Sequence, residues 1–352
     1  MNKVIIPTGY MGSGSSAVTD LLSEVEGFSC KNGSYEYVFL NCPDGLFDLE
    51  DKLLKGNNAF RSDEAIHSFY NCMYQLHFEK NCWMTDYKNK IGNEFILYCE
   101  KFLDSIIDEK LDDSYWYYQE LPDLKMSIKN LVFKAVSHIT YGKIQLNPAL
   151  KYKGMCLSYP SKEEFYIKAK EYLNNIFELM GINDNNLILD QLLLPHNLYR
   201  IENYFDNNVK VIVVDRDPRD VFLLNKYYWK KARVPVPFSY DVENFCEQYK
   251  KMRECENIVK NDNILRIHFE DIIYFYDKVV PILFKFLEID EKTHIYKMTK
   301  LIPEKSKKNT QIYAQNIQFK PEADYIKNKL SRYIYNFPEG DISKLTNKDI
   351  IL

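Results

Sequence analysis

Three sets of residues in this chain have the types and spacing to do chemistry. Gly9, Gly12 and Gly14, interleaved with Ser13, Ser15 and Ser16, follow directly on the apolar run Val4–Ile5–Ile6. Glycines let backbone N–H groups converge, serine hydroxyls add neutral donors, and a helix starting near Ser15 would aim its unpaired first-turn amides at a ligand, so the stretch predicts an anion site. Arg216 and Arg219, in RDPRDV, stand where a strand gives way to a helix that Asp217 caps and Pro218 begins. Two guanidiniums at such a junction suit bidentate contact with phosphate, or else pair with Asp215 and Asp220 at the surface. The third set is acid–base. Asp190 and Gln191 interrupt the apolar run of NNLILDQLLLP and need either a cleft at the strand's carboxyl end or local backbone donors. His196, just beyond, is the histidine best placed for proton transfer. Glu36, between Tyr35 and Tyr37, is either a cleft carboxylate or a solvated strand residue.

The elements that must hold these residues follow from periodicity. Strands are expected at Val4–Ile6, at residues 35–40, across 186–195, at Val211–Val214 and near 264–268. Apolar spacing predicts helices from Ser15, and over Asp63–Phe78, Asn93–Glu109, Leu124–Val136, Lys162–Met180, Asp241–Val259 and the end of 264–289. Strand–loop–helix units at both ends, with a helical middle, predict a three-layer, P-loop-like α/β fold: a parallel sheet flanked by helices and carrying a large helical insertion. Residues 1–50 and 185–315 form the expected core. Residues 51–184 form the insertion, expected to build the acceptor side, and 316–352 a C-terminal extension. His67, His77 and His138, inside the insertion, are expected to be packing or surface histidines.

Composition narrows the function. The 352 residues carry a formal charge of −4, which supplies no basic field for nucleic acid. No run approaches the ~18 apolar residues that span a bilayer. Eight scattered cysteines without CxxC or metal-ligand spacing read as free thiols of a reducing, cytoplasmic compartment, and no metal is expected. The 28 tyrosines suit amphipathic contacts, sugars among them.

As a nucleotide-triphosphate loop, Gly9–Ser16 has Ser15 where the lysine that reaches the β- and γ-phosphates belongs, which disfavours a P-loop kinase. GSGSSAVTDLL instead resembles the 5′-phosphosulfate loop of carbohydrate sulfotransferases, with Gly12 in place of the usual arginine or lysine. RDPRDV resembles that family's 3′-phosphate motif, with Leu224 where its serine stands and Asn225 as a substitute, and the Phe-Glu-Asp of 269–271 resembles a third, structural segment. The resemblance covers about residues 3–40 and 187–310. It implies a 3′-phosphoadenosine 5′-phosphosulfate-dependent transfer of a sulfuryl group to a hydroxyl of a saccharide or similar small-molecule or oligosaccharide acceptor, without metal. It implies a nucleotide site of Gly12, Ser13, Gly14, Ser15, Ser16, Arg216, Arg219 and Asn225, closed by a basic loop of Lys305, Lys307 and Lys308, with Glu36, Asp190 or His196 as the base. One of those lysines, or secondly Lys226, is expected to supply the cation missing at Gly12. The rival reading is a protein that binds a nucleotide or sugar phosphate without turnover.

Overall fold

The computed structural model of the chain describes residues 2–114, 116, 123–147, 149, 154–233 and 236–338. Parts of the expected insertion, at 115, 117–122, 148 and 150–153, and residues 339–352 of the C-terminal extension lie outside the described residues.

A parallel five-stranded sheet in the order β2-β5-β1-β6-β7 forms the middle layer of a P-loop-like α/β fold. Its strands are β1 (Val4–Thr8), β2 (Phe28–Ser29), β5 (Asn186–Ile188), β6 (Val209–Asp215) and β7 (Ile264–His268). β1 lies at the centre, pairing Val4 with Leu187 on one side and with Val209 on the other. Every residue of β1 is buried, as a strand covered on both faces requires. Because β6 runs two residues past Val213, the partner of Thr8, its end overhangs the turn that leaves β1.

Helices cover both faces. α1 (Ser15–Leu22) turns Ala17, Val18, Leu21 and Leu22 onto one face of the sheet, where they meet Ile272, Leu283 and Phe284. On the other face, α2 (Leu46–Leu54), α3 (Ala59–Phe78), α4 (Phe95–Ile106) and, after α5 (Leu124–Ile139), α6 (Lys162–Met180) supply the insertion. Phe69, Phe95, Phe165 and Tyr172 share one apolar cluster with Val4, Ile6 and Val211, so the insertion and the sheet have a common core. An antiparallel pair, β3 (Glu109–Leu111) with β4 (Met155–Leu157), sits within it. α7 (Pro218–Leu223) runs into a π-helical segment, Leu224–Trp229, and α8 (Val242–Glu254) packs against both. The short helix Phe269–Tyr274 leads into α9 (Tyr276–Leu287). α10 (Lys320–Lys329) is the last α-helix of the described chain. Phe319, Ile326 and Leu330 of the expected extension pack with Phe222 and Phe245, so this part is built into the core.

Two strand expectations are corrected. Residues 35–38 join no sheet and residues 39–40 form a turn, because the edge beside β5 is taken by Phe28–Ser29. β5 stops at Ile188, which leaves Asp190 and Gln191 in the turn beyond its carboxyl end, with Gln191 at φ 61°. Of the three histidines within the insertion, His67 pairs with Asp63 at 3.3 Å and His77 packs against Phe78 and Phe95. His138 is exposed.

Candidate anion and nucleotide site

A cleft of about 460 Å³ opens at the carboxyl ends of β1, β5 and β6, where ligands bind in open α/β sheets. The Gly9–Ser16 loop forms its floor. Gly9 must be glycine for space, because a Cβ there would lie 2.6 Å from the Val214 carbonyl of the overhanging β6. Gly14 is the residue before α1 and sits at φ 87°, with no side chain capping the helix. The first-turn donors of α1 therefore face the cleft without a side-chain acceptor. Ser13 Oγ, also lining the cleft, is buried and has no hydrogen-bond partner. A Cβ on Gly14 would meet Phe269 Cδ2 at 2.6 Å. Gly14→Ala is therefore expected to cost about 1–3 kcal/mol of stability, from left-handed strain and displacement of the Phe269 ring. Equilibrium urea unfolding measures this directly.

Gln191 holds the loop in shape. Its Oε1 accepts from Thr8 Oγ1 at 3.1 Å and Gly9 N at 3.4 Å, and its Nε2 donates to Ser15 Oγ at 3.2 Å. The polar interruption of the apolar stretch signalled it, but its role depends on the turn after β5.

Arg216 enters the cleft from the end of β6. Its guanidinium donates to Gly12 O at 3.0 Å and to Asn309 O, and lies 4.6 Å from the Phe269 ring centre. The side chain is buried, its Nε has no partner, and burial pulls its pKa below the usual guanidinium value. The neighbouring carboxylates are engaged elsewhere. Asp220 accepts from Gln311 N and Ile312 N at 2.8 Å each, and Glu270 accepts from Asp217 N at 2.9 Å. Asp215 pairs with Arg253 and Arg266. A buried cation held by carbonyls alone is a place for an anion.

Arg219 is placed differently. It makes two bonds to Asp217, at 2.9 and 2.6 Å, and stacks over Tyr313 at 4.2 Å, outside the cleft lining. Asn225 is fully buried and donates to Phe238 O at 3.2 Å. Lys307 pairs with Glu304 at 3.0 Å, and neither it nor Lys305 or Lys308 lines the cleft, although Asn309 does. Lys226 binds Glu322. Among the described residues lining the cleft, Arg216 is the only cation. Beside Gly12, where a long basic side chain would need room, Trp229 leaves only 2.7 Å to a would-be Cβ. Trp229 ends the π-helical segment, in which Lys230 N reaches back five residues to Asn225 O at 3.3 Å. Nothing in the local sequence signalled that turn.

Glu36 and Asp190 both line the cleft, brought together by the Tyr37 N–H donating to Asp190 O at 3.1 Å. Asp190 is 3 % exposed, and burial, then the nearby Glu36 charge, pushes its carboxyl up to about 7, against the hydroxyls of Thr19 and Ser15. Burial also raises Glu36. The half-buried Glu36 is thus the carboxylate open to a ligand, with Asp190 buried behind it. His196 stacks on Tyr10, with ring centres 6.2 Å apart, and is not part of the lining; burial lowers its pKa. Glu270 and the adjacent Asp271 have structural roles, as expected of the third segment: Asp271 accepts from the backbone His268 N and from the side-chain hydroxyl of Tyr335.

No protein-family model matches the chain, and no curated protein does. Among solved structures it is similar to the sulfotransferase domain of the Synechococcus PCC 7002 olefin synthase, at 13% identity over 95% of this chain and 94% of that one, with a TM-score of 0.39. It is similar also to the sulfotransferase domain of the curacin biosynthetic pathway, at 14% identity over 96% and 99%, TM-score 0.39. A third is the sulfotransferase STF9 from Mycobacterium avium, at 9% identity over 94% and 76%, TM-score 0.35. Likenesses at this level establish neither a family nor an activity.

Proposed function

We propose that the protein is a sulfotransferase, moving a sulfuryl group from 3′-phosphoadenosine 5′-phosphosulfate to a hydroxyl of a small-molecule or oligosaccharide acceptor. The observation that carries this is Arg216, a buried guanidinium without a carboxylate partner, set against the uncapped start of α1 in a cleft that also holds Glu36 and Asp190. The residues present fit the phosphosulfate end of such a donor: Ser13 Oγ and Arg216 Nε are buried donors without partners, and the amides of Gly14–Ser16 face the same space. When bound, the donor supplies an activated sulfuryl group on a phosphate leaving group. The loop amides and Arg216 offset the charge that grows on that phosphate, Tyr10, Trp229 and Phe269 give the cleft aromatic walls that suit a base or a sugar ring, and Glu36 takes the acceptor's hydroxyl proton.

One observation favours a second reading, binding without turnover: Trp229 stands beside Gly12, and the described lining offers a single cation. Losing one preorganised donor typically costs about 10²–10³ in rate.

Addition of 3′-phosphoadenosine 5′-phosphate is expected to stabilise the protein by about 2.7 kcal/mol at a hundredfold excess over Kd, independently of magnesium. A melting scan without a shift at millimolar nucleotide would sink the donor reading. A shift without sulfuryl transfer to any of a panel of saccharides and simple alcohols would leave the binding protein, and a shift seen only with ATP and magnesium would leave a kinase.

A further inference from the structure

The helix α5 presents its apolar side outward. Leu124, Ile128, Leu131, Val132 and Ile139 recur at helical spacing along one stripe, and Leu124 is 78 % exposed, Leu131 66 % and Ile139 74 %. The side turned to the protein is carried by Met126, the one buried residue of the helix, with Asn130, Phe133 and Ser137 partly covered on the same side and Val136 at its edge. A soluble amphipathic helix places its apolar stripe on the core, whereas this one leaves most of its apolar residues facing outward. Lysines line the stripe: on a helical projection Lys125 and Lys129 fall along one edge and Lys134 along the other, all exposed. Residues 124–147 hold four lysines and no aspartate or glutamate, within a chain whose net charge is −4. Tyr141, just past the helix, is almost wholly exposed.

We propose that α5 lies flat on an anionic lipid surface, its leucine and isoleucine side chains in the acyl boundary and its lysines among the headgroups. Charge decides the occupant. A second copy docking through the same face would bring lysine edges against lysine edges, with no acidic residue in the segment to pair them. An anionic bilayer offers both an apolar layer for the stripe and negative headgroups for lysines that extend outward from its edges. No described helix is long and apolar enough to cross a membrane, so the association is peripheral.

Sedimentation of the full chain with vesicles tests this without reference to nucleotide. Binding is expected to vesicles containing about one-third phosphatidylglycerol, to weaken in high salt, and to be far weaker with pure phosphatidylcholine. Neutralising Lys129→Gln and Lys134→Gln together should lower vesicle affinity about 25-fold, at about fivefold for each lysine. Leu131→Asp with Ile139→Asp should lower it by about tenfold or more. All four positions are exposed, so urea unfolding of both variants should match the parent. Equal binding by parent and variants, equal binding to both lipid mixtures, or no binding at all overturns the proposal. So does self-association of the parent that Leu131→Asp abolishes while vesicles capture nothing, since that would make the stripe an interface between copies.

Discussion

Arg216→Ala is expected to weaken binding of 3′-phosphoadenosine 5′-phosphate by about 10- to 150-fold, the equivalent of about 1.5–3 kcal/mol for a lost charge-assisted hydrogen bond. The guanidinium ties Gly12 O in the anion loop to Asn309 O, and it is the one cation of the described cleft lining. Its removal takes away the counter-charge and frees the loop from the 309 segment. Arg216→Lys should recover little, because one ammonium cannot span both carbonyls and still reach the ligand. Arg219→Ala is the informative contrast. It strips the buried Asp217 of its cation, so it should lower stability while the folded fraction keeps most of its affinity. Calorimetry at matched folded concentrations separates the two. Unchanged affinity in Arg216→Ala would remove the basis for the anion site, and equal affinity losses in both variants would show that Arg219 also reaches the ligand.

Glu36→Gln is expected to reduce the transfer rate by about 10²–10⁴, the usual worth of a positioned base, while nucleotide affinity stays nearly constant. Rate should rise with pH as Glu36 ionises, at a point above the ordinary glutamate value because burial raises it. Asp190 has a different signature, in stability. Its carboxyl titrates at about 7 in the fold, above the ordinary carboxylate value expected of the unfolded chain, so between these the folded state holds a proton that the unfolded state has lost. Its stabilising contribution is therefore complete at low pH and is lost as pH rises from about 4 to about 7. Asp190→Asn cannot ionise, so relative to the parent it should gain stability across that window, by about 4 kcal/mol at most. Urea unfolding of both proteins at several pH values reads the difference. Parallel stability curves would mean that Asp190 is ionised throughout, and would make it as fair a candidate for the base as Glu36.

Local chain geometry was legible in the residues alone. A β-branched run, spaced glycines and serines at a helix start define a strand, a turn and an uncapped N-terminus within about a dozen residues, and Asp217 before Pro218 sets the second junction in the same way. Backbone conformation of this kind depends on neighbours in sequence, so the parallel sheet and its cleft could be foreseen. What each side chain faces depends on groups far along the chain. Arg216 and Arg219 share one motif, yet one is held by the carbonyl of Asn309 and the other by Asp217 beneath the ring of Tyr313. The lysines of residues 305–308 lie next to Asn309 but outside the lining, and Trp229 reaches Gly12 through a π-helical turn with no local sequence signal. Periodicity likewise marked the helix after Leu124 as amphipathic, but not which side it would bury. That choice is made by what surfaces the rest of the fold offers, and here its leucines were left in the open. Neighbouring residues set backbone dihedrals, so the strand, turn and uncapped helix start of the anion loop were readable locally, while the strand expected at 35–40 gave way to competition for the sheet edge. Charge pairing and burial are contests among residues that meet only in the folded chain.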